Sequence, residues 1–349
     1  MNKEIFITTG YMGSGSSAVT DLLSEFLDLN ACNGDFEYIF MHCPDGVFDL
    51  EDKLLKSNNA VRSDEAIHRF ISQMNNLYCL KNYWPGMYKK FVSINFMDII
   101  NQFIESLINI KIKNGYWYFS EMPISFKLQC KHYIYRFKKK FLNKKLIKKP
   151  LNYDELLFSI PTEEEFYSNA QILLSNFFDF FQGNKIVLDQ FFLPHNLYRL
   201  KNYCKDAKII VVDRDPRDVF YSNKYIWLKN REAIPYPIDV KDFCNYYKRM
   251  RQNEKIVNDN VLRIHFEDLL FRYDKTLSDI ISFLGLDPTN HKMKFQKFNP
   301  DISKNNTQLF EKYGDLNNEQ SIICEMLNEY LYDFDTNLNF EESDINNVF

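Results

Sequence analysis

The stretch Thr8-Thr9-Gly10-Tyr11-Met12-Gly13-Ser14-Gly15-Ser16-Ser17 has the residue types of a phosphate cradle. Glycines let a backbone turn tightly and bring its N–H groups close to an anion. Gly10, Gly15 and Ser17 fit the nucleotide-loop frame G-x4-G-K-[ST], but Ser16 stands where that frame has lysine. Such a lysine is the point charge on the outer phosphates of ATP, so its absence weighs against ordinary ATP or GTP hydrolysis. Ser16 and Ser17 still offer two hydroxyls to a phosphate-like group. The competing reading is a serine-rich turn that binds nothing.

A second set is Asp213-Arg214-Asp215-Pro216-Arg217-Asp218-Val219-Phe220-Tyr221-Ser222. Asp215 suits an N-cap and Pro216 the first helical position. Helical side chains lean toward the N-terminus, so Ser222 is expected to face back toward Arg214. An arginine and a hydroxyl converging on a helix start make a second anion site, because a guanidinium grips phosphate with two parallel hydrogen bonds. The alternative is a surface cluster in which Arg214 and Arg217 pair with Asp213, Asp215 and Asp218.

Strands and helices must position these groups. Ile5-Phe6-Ile7 reads as a buried strand before the first loop, and Ala18 to Leu29 as an amphipathic helix after it. Lys208 to Asp213 is an apolar, β-branched run typical of a central parallel strand, and Lys185 to Leu188 is a shorter one ending in Asp189-Gln190. After the Asn33-Gly34 turn, an alternating run carrying Asp35 and Glu37 reads as a second strand whose end would lie near the cradle, or else as a solvated loop. The fold class expected is α/β: a P-loop-like parallel sheet flanked by helices, one domain over 1–349, with 40–180 as a large, mostly helical insertion on the acceptor side. Helical spacing predicts helices over Asp49–Leu55, Asp64–Leu80 and Phe96–Ile110, with a break at Trp84-Pro85-Gly86. Thr162 and Glu165 form a capping box for a helix running to Phe181 or Gln182, and a further helix is expected over Pro194–Lys205. Residues 127–149 are strongly basic with interleaved aromatics, which reads as a solvated helix face or as a patch for an anionic acceptor, a membrane surface or nucleic acid.

Composition narrows the class. The net charge of −4 over 349 residues argues against general nucleic-acid binding. Seven cysteines, an odd number with no C-x-x-C pair, argue against a disulfide framework or zinc site and suit a reducing compartment. No apolar run reaches the roughly 18 residues of a membrane span, and with the first strand almost directly after Met1 no signal peptide is expected. A cytoplasmic protein is the expectation; the sequence does not fix an oligomeric state.

Two anion sites on one parallel sheet imply a ligand with two separated phosphate-like groups, and here the sequence resembles the sulfotransferase family, in particular a bacterial carbohydrate-type member. These enzymes use 3′-phosphoadenosine 5′-phosphosulfate (PAPS). Thr9 through Ser17 resembles the 5′-phosphosulfate loop, which implies cofactor contacts from Gly13, Ser14, Gly15, Ser16 and Ser17. Arg214 through Val219 with Ser222 resembles the 3′-phosphate motif, implying that Arg214 and Ser222 hold that phosphate. Val261 to Leu269, Thr276 to Leu286 and the late loop Asn299-Pro300, Ser303-Lys304-Asn305 and Tyr313 continue the likeness, with Ser303 and Lys304 covering the nucleotide. The resemblance spans 4–30 and 185–313 and omits most of 40–180. It implies in-line sulfuryl transfer to a hydroxyl, with a saccharide as the expected acceptor and no metal. The base would be a carboxylate after the first helix: Glu37 first, Asp35 second, His42 third. One departure stands out: the family's loop usually has Lys or Arg where this chain has Gly13, and Lys127, Lys224 and Arg62 are candidates to supply the charge. A kinase-like reading survives because Ile209 to Asp213 also fits a Walker B strand, and an inactive nucleotide-binding reading survives because of Gly13.

Overall fold

The structure is a computed structural model and describes residues 3–32, 36–80, 86–121, 125–141, 148–255, 260–314 and 318–334. The described strands are β1 (Glu4–Gly10), β2 (Asn30–Ala31), β3 (Ile110–Lys113), β4 (Glu155–Phe158), β5 (Lys185–Asp189), β6 (Lys208–Asp213) and β7 (Val261–His265). The chain divides into two compact units: Met1–His42, Tyr83–Pro85 and Phe177–Phe349 form the first, Cys43–Asn82 and Gly86–Asn176 the second.

The first unit holds a parallel sheet in the order β2-β5-β1-β6-β7. β1 from Ile5 onward and β6 from Ile209 onward are buried throughout, as parallel strands covered on both faces should be. Register decides where chemistry can occur. Gly10 lies beside Val212 and Thr8 beside Asp189, so β1, β5 and β6 end together at one edge of the sheet. Ligands of open α/β sheets bind outside such carboxyl ends, where the chain order switches direction. The helix after β1, α1 (Ser16–Ser24), buries Val19, Leu22 and Leu23 in a core with Phe6, Val187, Ile210, Ile264 and the helices Phe266–Phe271 and Tyr273–Leu284.

Several boundaries differ from the sequence reading. α1 stops at Ser24 rather than Leu29: the Ser24 hydroxyl donates back to Asp21 O at 2.7 Å, and Glu25 and Phe26 make tight bonds to Leu22 and Leu23 carbonyls. The second strand is Asn30–Ala31, at the sheet edge against β5, and Phe36 to Tyr38 form no strand. Phe36, Tyr38 and Phe40 are all buried in an aromatic cluster with Phe177 and Phe191, so the apparent alternation was packing and not pleating. The helix begun at Glu163 ends at Phe178, short of Phe181, and Pro194–Lys205 is a 3₁₀ turn, Pro194–Arg199, followed by a short helix, Leu200–Tyr203.

The second unit contains the helices Val47–Glu51, Ala60–Cys79, Phe96–Leu107 and Phe126–Phe141 and the antiparallel pair β3–β4. Its core includes Ile67, Phe70, Ile100, Phe103 and Phe166, with Phe103 ring centroids 6.1 Å from Phe70 and 5.9 Å from Phe166. Asn59 caps one helix by accepting from Arg62 N, and the Thr162–Glu165 capping box forms as its sequence dictates. Trp84 and Pro85 lie outside the described residues.

Candidate functional site

β1 runs directly into the cradle loop. Gly13 and Gly15 adopt φ of +82° and +85°, the left-handed region that side chains resist. A Cβ on Gly15 would lie 2.6 Å from the Phe266 ring, and one on Gly13 would lie 2.7 Å from the Trp227 ring. The loop is pinned from outside by the Tyr236 hydroxyl, which donates to Met12 O at 2.8 Å. Gly15 is the N-cap of α1 and supplies no side-chain acceptor, so no cap side chain occupies the first-turn N–H groups, and the positive end of the helix dipole is left for an anion. Ser14 Oγ is buried with no hydrogen-bond partner among the described residues. Ser16 Oγ accepts from Gln190 Nε2 at 2.8 Å, which leaves its proton to donate; Ser17 Oγ donates to Asp189 Oδ2 at 2.9 Å.

The second site opens beside the first because β6 neighbours β1. Asp215 caps the helix Pro216–Tyr221 by accepting from Arg217 N, with Pro216 in the first turn. Arg214 is 5% exposed and reaches across: Nη1 donates to Gly13 O at 2.8 Å, and Nη2 to Ser222 Oγ at 3.3 Å and to Asn306 O. Its Nε is buried without a partner among the described residues, and the guanidinium carbon lies 5.5 Å from the Phe266 ring centroid. So Arg214 joins the cradle, Ser222 and the late loop. The salt-bridge alternative holds in part: Arg217 pairs with Asp215 as it expects, while Asp213 is taken by Arg251 and Arg263. Asp218, fully buried, accepts from Gln308 N at 2.9 Å and Leu309 N at 2.7 Å and so ties the late loop to the arginine motif. Burial pushes its carboxyl well above the usual range. Ser303 and Lys304 sit on the same late segment, half-buried; Lys304 Nζ pairs with Asp301 at 2.9 Å, while Asn306 makes the contact with Arg214.

The candidate base is placed by its neighbours. Tyr38 N donates to Asp189 O at 2.9 Å, which holds the Phe36–Tyr38 segment against the end of β5. Asp189 is buried, receives Ser17 Oγ and Thr8 Oγ1, and is pushed up to about 7, first by burial and next by the charge of Glu37. Glu37 is therefore an electrostatic neighbour of a carboxylate that touches the cradle. Asp35 lies outside the described residues. His42 Nε2 donates to Gln190 O at 2.7 Å, and burial lowers its pKa to about 4, which keeps it neutral near pH 7. Lys224 pairs with Glu319, so it could serve the leaving group only by releasing that partner; Lys127 and Arg62 belong to the second unit.

The raised Asp189 carboxyl carries a stability prediction. Between its ordinary value of 3.8 and about 7 the folded state holds a proton that the unfolded chain releases. Its contribution is fully present below the lower value and is lost as pH rises through the upper one. Asp189→Asn removes this dependence. Melting curves across that range should show the variant gaining on the wild type as pH rises, then a constant difference; parallel curves throughout would place the ionisation elsewhere.

Gln190, Trp227, Asn306 and Asp218 are the residues that sequence reasoning ranked low or missed. Gln190 has φ of +57°, a strand-end conformation that nothing in its neighbours announces. Trp227 sits on the π-helical stretch Ser222–Trp227, and no motif points to it. Asp218 was visible inside the arginine motif, but as a surface charge and not as an anchor for a loop some ninety residues away.

Comparison with known proteins gives one family. The sulfotransferase family model matches residues 5–290. No curated protein sequence matches the chain. Among solved structures it is similar to the sulfotransferase domain from the curacin biosynthetic pathway, at 13% identity and a TM-score of 0.40, covering 94% of this chain and 98% of that one. A sulfotransferase domain of the Synechococcus PCC 7002 olefin synthase gives 11% identity and 0.42, with 96% of each chain covered. The Mycobacterium tuberculosis H37Rv sulfotransferase STF1 gives 10% and 0.32, covering 88% of this chain and 77% of that one.

Proposed function

Because the chain belongs to the sulfotransferase family, we propose that it moves a sulfuryl group from PAPS to a hydroxyl of a saccharide or other small acceptor. The observation that carries this reading is the convergence of Arg214 Nη2 and Ser222 Oγ, 3.3 Å apart, on the rim of the cradle loop. Two phosphate-like groups need two adjacent anion sites, and the neighbouring ends of β1 and β6 would supply them. The site fits such a donor: unfilled polar atoms at Ser14 Oγ and Arg214 Nε, and an N-terminus of α1 open to an anion.

When bound, PAPS would supply the activated sulfuryl group. The N–H groups at the start of α1, with the Ser16 hydroxyl, would hold the 5′-phosphosulfate and stabilise charge growing on the leaving phosphate, and Ser17 would join them by releasing Asp189. Arg214 and Ser222 would hold the 3′-phosphate, and Asp218 would keep the late loop over it. Glu37 would take the proton from the acceptor hydroxyl. Positioning and charge stabilisation are the protein's main contribution.

Calorimetry on adenosine 3′,5′-bisphosphate tests the second site. Arg214→Ala should weaken binding by about 2 kcal/mol or more, the size of a charge-assisted bond. Adenosine 5′-phosphosulfate, which lacks the 3′-phosphate, should lose markedly less, since Arg214 touches its loop only through Gly13 O. Equal losses for the two ligands would sink the assignment, and tighter binding of ATP with magnesium than of the bisphosphate would favour a kinase.

A second reading, a nucleotide-binding protein without transferase activity, draws on Gly13. Trp227 fills the room where a loop lysine or arginine would start. Transfer of labelled sulfate from PAPS onto a panel of glycans separates the two: turnover supports the enzyme, and ligand binding without turnover supports the alternative.

A further inference from the structure

Residues 127–141 of the basic run lie on one helix, Phe126–Phe141, in which only Leu128 is buried; 142–147 lie outside the described residues, and Lys149 beyond them pairs with Glu121. Phe126 is 81% exposed, Tyr133 71%, Ile134 55%, Phe137 68% and Phe141 67%. At helical pitch, these positions fall within an arc of about 100°, a continuous apolar stripe along the whole helix. Leu128, His132 and Tyr135, the least exposed residues of the helix, lie on the opposite side. The attached side is thus already used, and the aromatic stripe points outward. Lys127, Lys131 and Lys138 flank it on one side, Arg136 and Lys140 on the other, with no Asp or Glu anywhere in the helix. Among the described residues none of these cations pairs with a carboxylate.

A soluble protein rarely keeps a stripe of this kind bare. We propose that the helix Phe126–Phe141 docks the protein onto an anionic lipid surface. An in-plane helix sinks its aromatic face to the level of the acyl boundary, while flanking lysines snorkel to the headgroups. The charge is complementary to phosphatidylserine-type headgroups. A second copy of this chain would set like charges against each other, and a protein partner would need a groove shaped to the full length of the stripe. Among the described residues no helix is long and apolar enough to cross a membrane, so the contact is at the surface. This inference does not depend on the proposed transferase activity.

Co-sedimentation of the full chain with vesicles tests it. Phosphatidylcholine vesicles with a minority of phosphatidylserine should capture the protein at least about tenfold better than phosphatidylcholine alone, and high salt should release it. Phe137→Ser with Phe141→Ser should lose about tenfold or more of that binding, as should Lys138→Glu with Lys140→Glu. All four side chains are exposed, so melting temperatures should not move. The proposal is overturned if anionic vesicles are not preferred, if both double variants bind as the wild type does, or if the protein forms a dimer that the variants abolish while vesicles go unbound.

Discussion

Glu37→Gln should lower turnover roughly 10²–10⁴-fold, the usual yield of a positioned general base, while the Kd for adenosine 3′,5′-bisphosphate stays close to the wild-type value. The amide keeps the shape of the side chain and removes only its capacity to accept a proton. Glu37 is held next to the cradle because Tyr38 N is bonded to Asp189 O at 2.9 Å, and its charge helps to raise Asp189, which itself receives Ser17 Oγ. On the proposed reading a base belongs beside the cradle, where the sulfuryl end of the donor would lie. A carboxylate that merely paired with a surface lysine would cost at most about 1 kcal/mol of stability when neutralised and would leave turnover intact. The measurement is kcat on a good acceptor together with the bisphosphate Kd. Near-normal kcat transfers the role to Asp35 or to the neutral imidazole of His42, whose Nδ1 is not the nitrogen bonded to Gln190 O. A joint loss of kcat and nucleotide affinity would show instead that Glu37 supports the loop.

Much of the fold was legible because its signals are local. Ile209 to Val212 could only be a buried strand, Asp215-Pro216 starts a helix in any context, and glycines at Gly13 and Gly15 mark backbone that other residues resist. The pairing of Arg214 with Ser222 was legible for the same reason, since eight residues span a strand end and a short helix. What failed was non-local or aromatic. Phe36-Glu37-Tyr38 alternates like a strand, yet both rings turn inward into a cluster with Phe177 and Phe181 that no short window contains. The anchoring of the late loop by Asp218, the filling of the Gly13 side by Trp227 and the Gln190–Ser16 bond join residues far apart in sequence. The sequence therefore shows two separate candidate motifs, and only the structure shows Arg214 joining them.

Gly15→Val should abolish binding of adenosine 3′,5′-bisphosphate while the protein still melts cooperatively. At φ of +85° a β-branched residue is strained whatever the space, at roughly 1–2 kcal/mol for the left-handed conformation alone. Space is also missing: the first carbon of any side chain would meet the Phe266 ring at 2.6 Å. Phe266 cannot simply retreat, because it is 4% exposed in the core that α1 shares with β7 and its following helices. The same ring lies beneath the Arg214 guanidinium, so a shift of Phe266 disturbs both candidate anion sites at once. The loop must then move outward, into the place where an anion would meet the first-turn N–H groups of α1. Gly15→Ala supplies the graded case, with the same φ and the same first contact but no branch; it should fold and lose at least about tenfold in affinity, since even one displaced N–H contact to an anion is worth more than 1.4 kcal/mol. Calorimetry with the bisphosphate, alongside thermal melts of both variants, reads the result. If the valine variant folds and binds normally, or the alanine variant does, the glycine-serine loop is a turn and the anion is held elsewhere.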